Sequence, residues 1–310
     1  MTQHSQTRLL FMGECMVELK EHKDGCIRQS FAGDSYNSAV YCRRLLPLDQ
    51  FGIEYFSALG DDNFSLAMRR CWQEEGLGSQ LTRTMPGRQP GLYFIHVDEN
   101  GERSFSYWRQ HAAARSMLEG ESAEGLLAHL QPFDVLYLSG ISLAILPDDD
   151  LQRLLTALER YEGRVIFDNN YRPKLWASKT KAQQTYRALL PFCDLALLTW
   201  DDEKALFDFQ DIEQSREQCA ALGVNEIVFK RGSDACLIYT ASDRFEIPAQ
   251  KVDQVVDTTA AGDSFSAGYL SARLLGHNPQ VAAKWGHLLA ASVIQHEGGI
   301  IAQNAMPLFE

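Results

Sequence analysis

Residues Asp257-Thr258-Thr259-Ala260-Ala261-Gly262-Asp263-Ser264 combine small side chains and two acids at the start of a helix-forming stretch, just after a strand-like pattern over 252–256. Small residues before a helix let backbone N–H groups point at an anion, and the helix dipole adds partial positive charge at the same place. Ala261 and Gly262 are therefore placed to hold a phosphoryl group. Asp263 lies in the first helical turn, where an acid standing alone need only complement the dipole.

Other polar clusters follow apolar runs along the chain. Glu14 comes after the run 8–12, and Gly33-Asp34-Ser35-Tyr36-Asn37 precedes a helical pattern over 38–46 in which Asp34 or Ser35 could serve as a plain N-cap. Asp168-Asn169-Asn170-Tyr171-Arg172-Pro173 follows a short strand. The proline holds Arg172 out of the helical region, whether Arg172 is a surface loop residue or a ligand contact. Acids Asp201, Asp202 and Glu203 open a helix after the run 195–198, and Lys230-Arg231-Gly232-Ser233-Asp234 follows the run 225–229. Ligands of open α/β sheets collect where strands end, so clusters in these positions are candidates for one shared crevice.

The positioning elements read as an alternation. Strand patterns at 8–12, 51–59, 133–139, 164–167, 195–198 and 225–229, with helical patterns at 38–46, 65–75 and 148–160 between them, predict a largely parallel sheet covered by helices. A last helix is expected over 282–296 before Gly298-Gly299. Two intervals break the rhythm. Residues 17–31 read as a hairpin around Lys23-Asp24-Gly25, and 91–97 with 103–109 as a second hairpin around Asn100-Gly101. Period-two alternation puts Phe105, Tyr107 and Arg109 on one face, with Tyr93 on the partner strand. The face suits either a packed edge with a snorkelling Arg or a cover over a ligand.

At 310 residues and 45% hydrophobic content the chain can bury a large core. A net charge of -12 argues against a nucleic-acid or membrane-surface role, and any anionic ligand needs positive charge supplied locally. Seven scattered cysteines without C-x-x-C spacing suit reduced thiols in a cytoplasmic protein. No leader pattern or membrane-length apolar run is read, nor a P-loop, a dinucleotide fingerprint or zinc-ligand spacing.

The 257–263 run resembles the C-terminal signature D-T-x-G-A-G-D of the ribokinase-like (PfkB) carbohydrate kinases, with Ala260 where the pattern has Gly. A methyl fits there only if the backbone need not enter the region open to glycine alone. The turn at 33–37 resembles the family's N-terminal signature, and Gly60-Asp61 and Glu203 also match, although Trp200 replaces the Asn of the family's N-x-x-E. The resemblance implies a single kinase domain over 1–310, an α/β three-layer αβα sandwich with a mostly parallel sheet and a β lid formed by about 17–32 and 88–109. It makes Ala260, Ala261 and Gly262 an anion hole and Asp263 the base that takes the acceptor hydroxyl's proton. It assigns substrate contacts to Gly33, Asp34, Asn37, Tyr93, Tyr107, Arg109, Arg172 and Asp257. Nucleotide contacts fall to Asn170, Lys230, Gly232, Ser233 and Gly262, and Glu203 helps organise magnesium indirectly. Cofactors are then ATP and Mg2+, and relatives suggest a homo-oligomer through the lid.

Two guanidiniums, Arg109 and Arg172, suit a carboxylate. With Tyr93 and Tyr107 they resemble the family members that phosphorylate the 6-hydroxyl of the sugar acid 2-keto-3-deoxygluconate. A kinase for a neutral sugar such as fructose, or a non-catalytic sugar sensor of the same fold, remains the alternative.

Overall fold

The computed structural model describes residues 6–21, 25–97 and 103–309. The predicted turns at Lys23-Asp24 and Asn100-Gly101 lie outside the described residues. The strands in chain order are β1 (Thr7–Met12), β2 (Met16–Glu21), β3 (Ile27–Ala32), β4 (Phe51–Phe56), β5 (Ala58–Leu59), β6 (Arg83–Thr84), β7 (Leu92–Val97), β8 (Arg103–Trp108), β9 (Val135–Ser139), β10 (Arg164–Asp168), β11 (Cys193–Thr199), β12 (Glu226–Lys230), β13 (Cys236–Tyr239) and β14 (Arg244–Ile247). Eight of them form one sheet in the order β14-β13-β12-β11-β10-β9-β1-β4. β4 through β12 in that order pair parallel, and only β13 and β14 are antiparallel.

The parallel strands read as continuous apolar runs because both their faces are covered. Along β1, Leu10 and Met12 join one buried cluster while Leu9 and Phe11 join the other. The helices are α1 (Asp34–Leu45), α2 (Asn63–Glu74), α3 (Ala123–Leu130), α4 (Gly140–Ile145), α5 (Asp148–Leu158), α6 (Lys179–Leu189), α7 (Trp200–Phe207), α8 (Ile212–Ala221), α9 (Ala261–Leu274) and α10 (Pro279–Val293). Leu126, Leu154, Ala182 and Leu206 place α3, α5, α6 and α7 on the first cluster's side. Tyr36, Met68, Phe265 and Leu289 place α1, α2, α9 and α10 on the other, giving three layers.

Two glycines set distances that matter for the site. A Cβ at Gly33 would lie 2.1 Å from the Glu14 carbonyl oxygen, so only glycine lets α1 start against the end of β1. At Gly268 a Cβ would lie 3.0 Å from Gly286 Cα, so small residues on both helices let α9 and α10 cross closely and fix where the head of α9 stands.

The remaining strands form a separate small sheet, β3-β2-β7-β8, in which two antiparallel hairpins join through parallel pairing of β2 with β7. The strand predicted at 252–256 does not form. Its valines have no neighbouring strand to pair with; Val255 and Val256 are about half exposed, and Val252 and Val255 line the crevice described next.

Candidate active site

Where the parallel strands end, a crevice of about 1040 Å3 opens between the large sheet and the small one. Its volume suits two ligands of nucleotide and sugar size rather than one. Met16, Ala32, Tyr93, Phe105 and Tyr107 reach it from the small sheet, Gly33, Asp34 and Asn37 from the head of α1, and Asn170 and Arg172 from the loop after β10. Gly232, Ser233, His287, Ala290 and Ile294 line it as well, with Ala260, Ala261, Gly262 and Asp263.

The turn before α9 carries the densest chemistry. Ala260 sits at φ 61 and ψ 16, the left-handed region, which an alanine enters at a cost of about 1–2 kcal/mol. The Ala260 methyl is thus tolerated, but in a strained turn of the kind concentrated at functional sites. The Ala261 N–H donates to the Thr258 carbonyl at 3.2 Å, which corrects its assignment as an anion donor. The amides of Gly262 and Asp263, by contrast, have no carbonyl partner among the described residues.

Asp263 accepts from Asn37 Nδ2 at 2.9 Å. A carboxylate at a helix head would ordinarily stay ionised, yet burial first, and then the Asp34 and Asp168 carboxylates, push its pKa up to about 7 against the pull of Asn37 and Lys230. Asp34 accepts from Asn170 Nδ2 at 3.0 Å, and burial raises its pKa too. Asn170 itself holds a φ of 28, with its N–H donating to the Asn169 side chain at 2.8 Å.

Beneath the turn, Lys230, expected as a nucleotide contact, is instead paired with Asp168, a pairing the sequence had not suggested. Asp168, at the end of β10, accepts from Lys230 Nζ at 2.7 Å, Ser266 Oγ at 2.6 Å and Tyr137 Oη at 3.2 Å. Lys230 ends β12, two strands away across β11, and a Cβ on Gly262 would lie 3.7 Å from its ammonium. Positive charge is therefore held directly under the unpaired amides. The signal available was an Asp and a lone Lys each closing a buried strand.

Three candidates do not line the crevice. Arg109 lies past the end of β8, and its guanidinium is bound to the buried carboxylate of Glu14, so the strand alternation that paired it with Phe105 and Tyr107 stops one residue short. Asp257 is buried as a brace, accepting from the N–H of Thr259 at 2.8 Å and of Gly298 at 3.2 Å. Glu203 accepts from Asn169 Nδ2 at 3.0 Å and Ser215 Oγ at 2.6 Å, and burial raises its pKa to about 7. It touches Asn169, whose side chain in turn accepts the N–H of the crevice residue Asn170. Tyr93 is held by its hydroxyl, which donates to Glu18. Arg172 is half exposed, donating to the Tyr171 carbonyl at 2.9 Å and lying 3.5 Å from Asp202.

The sequence profile of the pfkB family carbohydrate kinases matches residues 6–306. The chain belongs to this family. As a pfkB-family member it is 47% identical over 306 residues to the 2-dehydro-3-deoxygluconokinase of Escherichia coli K12, covering 97% of this chain and 99% of that protein. The protein of the same name from Dickeya dadantii is 48% identical over 305 residues, covering 96% of this chain and 98% of that one. Among solved structures, a candidate ribokinase II of Escherichia coli in complex with ATP and Mg2+ superposes with a TM-score of 0.80 at 19% identity, covering 97% of this chain and 96% of that one. The ribokinase-like fold expected from the motifs is the fold observed.

No group of three or more His, Cys, Asp or Glu suited to a metal occurs among the described residues. The carboxylates that line the crevice, Asp34, Asp168, Asp202 and Asp263, fit a magnesium ion that keeps most of its ligands as phosphate oxygens and water, as that ion ordinarily does.

Proposed function

We propose that the protein is a 2-keto-3-deoxygluconate (2-dehydro-3-deoxygluconate) kinase, which uses ATP and Mg2+ to phosphorylate the 6-hydroxyl and gives 2-keto-3-deoxy-6-phosphogluconate. The observation that carries this reading is the 47–48% identity over nearly the whole chain to kinases of that name. The crevice supports it: one end offers Asp34, Asn37 and Arg172 to a polyhydroxy acid, with Asn170, expected at the nucleotide, bound instead to Asp34 there, and the other an apolar slot beside Ala290 and Ile294 for a base. Phosphoryl transfer depends on position and charge more than on a strong base. Asp263 takes the hydroxyl proton as the bond to phosphorus forms, and the Gly262 and Asp263 amides with Lys230 beneath them face the charge on the transferred group. Bound Mg2+ supplies further neutralisation of phosphate charge.

Of the two guanidiniums expected at the sugar acid, Arg109 and Arg172, only Arg172 lines the crevice. Arg172→Met is expected to raise KM for the sugar acid about 10- to 100-fold, the loss of one charge-assisted contact, with kcat little changed. An ADP-release assay over 2-keto-3-deoxygluconate, gluconate, fructose and ribose checks both statements. The sugar acid should be preferred, and the preference should shrink in the variant; equal use of fructose by the unaltered enzyme points to the neutral-sugar reading.

We also infer a homo-oligomer through the outer face of the small sheet and a cytoplasmic location. Val17, Leu19, Leu92, Phe94 and Trp108 form an apolar depression there with Phe64, and Trp108 is 62% exposed. Trp108→Asp is expected to convert a dimer to a monomer by light scattering, whereas an unaltered chain that is already monomeric rules the interface out. No helix among the described residues is long and apolar enough to cross a membrane.

A further inference from the structure

The small sheet meets the phosphoryl-facing turn at one charged corner. Alternation along β2 puts Glu18 and Lys20 on the same face. Glu18 fixes Tyr93, while Lys20 Nζ lies 3.7 Å from Asp257 Oδ2 and 3.5 Å from Glu297 Oε2. Asp257 joins two loops, since its carboxylate accepts the N–H of Thr259 and the N–H of Gly298. It is only 2% exposed, and a carboxylate so buried needs hydrogen bonds and nearby positive charge. The turn it braces runs directly into Ala260, whose left-handed conformation persists only if its surroundings hold it.

We infer that Lys20 is a positioning residue for phosphoryl transfer. Its ammonium, reaching down from the small sheet, holds Asp257 and Glu297 together and through Asp257 fixes the turn that aims the Gly262 and Asp263 amides. This rests on the assignment of that turn to the phosphoryl group. The groups it braces face the migrating phosphoryl rather than the sugar hydroxyls, so the effect falls on kcat.

The test compares Lys20→Met, Lys20→Arg and Lys20→Ala with the unaltered enzyme and with Asp263→Asn. Lys20→Met is expected to lower kcat about tenfold or more, as small misplacements of reacting groups do, with sugar-acid KM nearly unchanged; the melting temperature falls as well, because buried Asp257 loses its cation. Lys20→Arg restores most of the rate. Ammonium chloride, but not tetramethylammonium chloride at equal ionic strength, raises the rate of Lys20→Ala and leaves the unaltered enzyme unaffected. If Lys20→Met keeps the full rate while Asp263→Asn is inactive, the positioning role alone is wrong. A loss that neither arginine nor ammonium repairs also overturns it. An active Asp263→Asn instead removes the assignment of the turn.

Discussion

Asp263→Asn is expected to lower turnover by about 10²- to 10⁴-fold, the usual contribution of a positioned base, while ATP and sugar-acid affinities stay close to those of the unaltered enzyme. The amide keeps the size of the carboxylate and can still accept from Asn37 Nδ2, so the hole keeps its shape. Ionisation gives a second readout. With its pKa raised to about 7, Asp263 must lose a proton to act, so kcat/KM should fall as pH drops below about 7 and level off above it. The same shift has a cost for the fold. Unfolded, the carboxyl returns to its ordinary value of 3.8; between there and about 7 the folded chain binds the extra proton, so stability declines as pH rises through that window. Above about 7 the full penalty remains. Asp263→Asn removes it, so the inactive variant should melt higher than the unaltered enzyme at pH 8 and gain less at pH 5, a trade of stability for activity.

Lys230→Met should have the largest effect on stability, about 3–5 kcal/mol, because removing one partner of a buried ion pair leaves the other charge uncompensated. Asp168 would keep its hydroxyl donors, Ser266 and Tyr137, but lose its only cationic partner among the described residues, in a crevice that also holds Asp34 and Asp263. Urea denaturation measures the loss. Adding Asp168→Asn to Lys230→Met should recover a substantial part of it, since the two positions interact directly. A single variant as stable as the unaltered chain would mean the pair is open to water. Where Lys230→Met still folds, its rate profile should shift to higher pH, because Lys230 is one of the groups holding the Asp263 pKa down.

Much of this was legible before any coordinates. Parallel strands covered on both faces must be apolar throughout, so strand and helix alternation gave the large sheet, and small residues ahead of an acid at a helix start are a local pattern. What escaped depends on tertiary neighbours. Strand alternation pointed Arg109 inward, but β8 ends at Trp108 and the guanidinium goes to Glu14. Residues 252–256 have strand-like side chains and no strand to pair with. The Asp168 and Lys230 pair exists only because β10 and β12 both flank β11. The raised pKa of Asp263 follows first from burial and then from the nearness of Asp34 and Asp168, all of which sequence separation hides.

The most direct measurement is phosphorus NMR of the product formed from ATP, Mg2+ and 2-keto-3-deoxygluconate. The account predicts a phosphomonoester whose phosphorus couples to the two protons of a terminal CH2 group, appearing with ADP in equal amount. A phosphate on a ring or chain carbon bearing one proton, or release of inorganic phosphate without any ester, would contradict it.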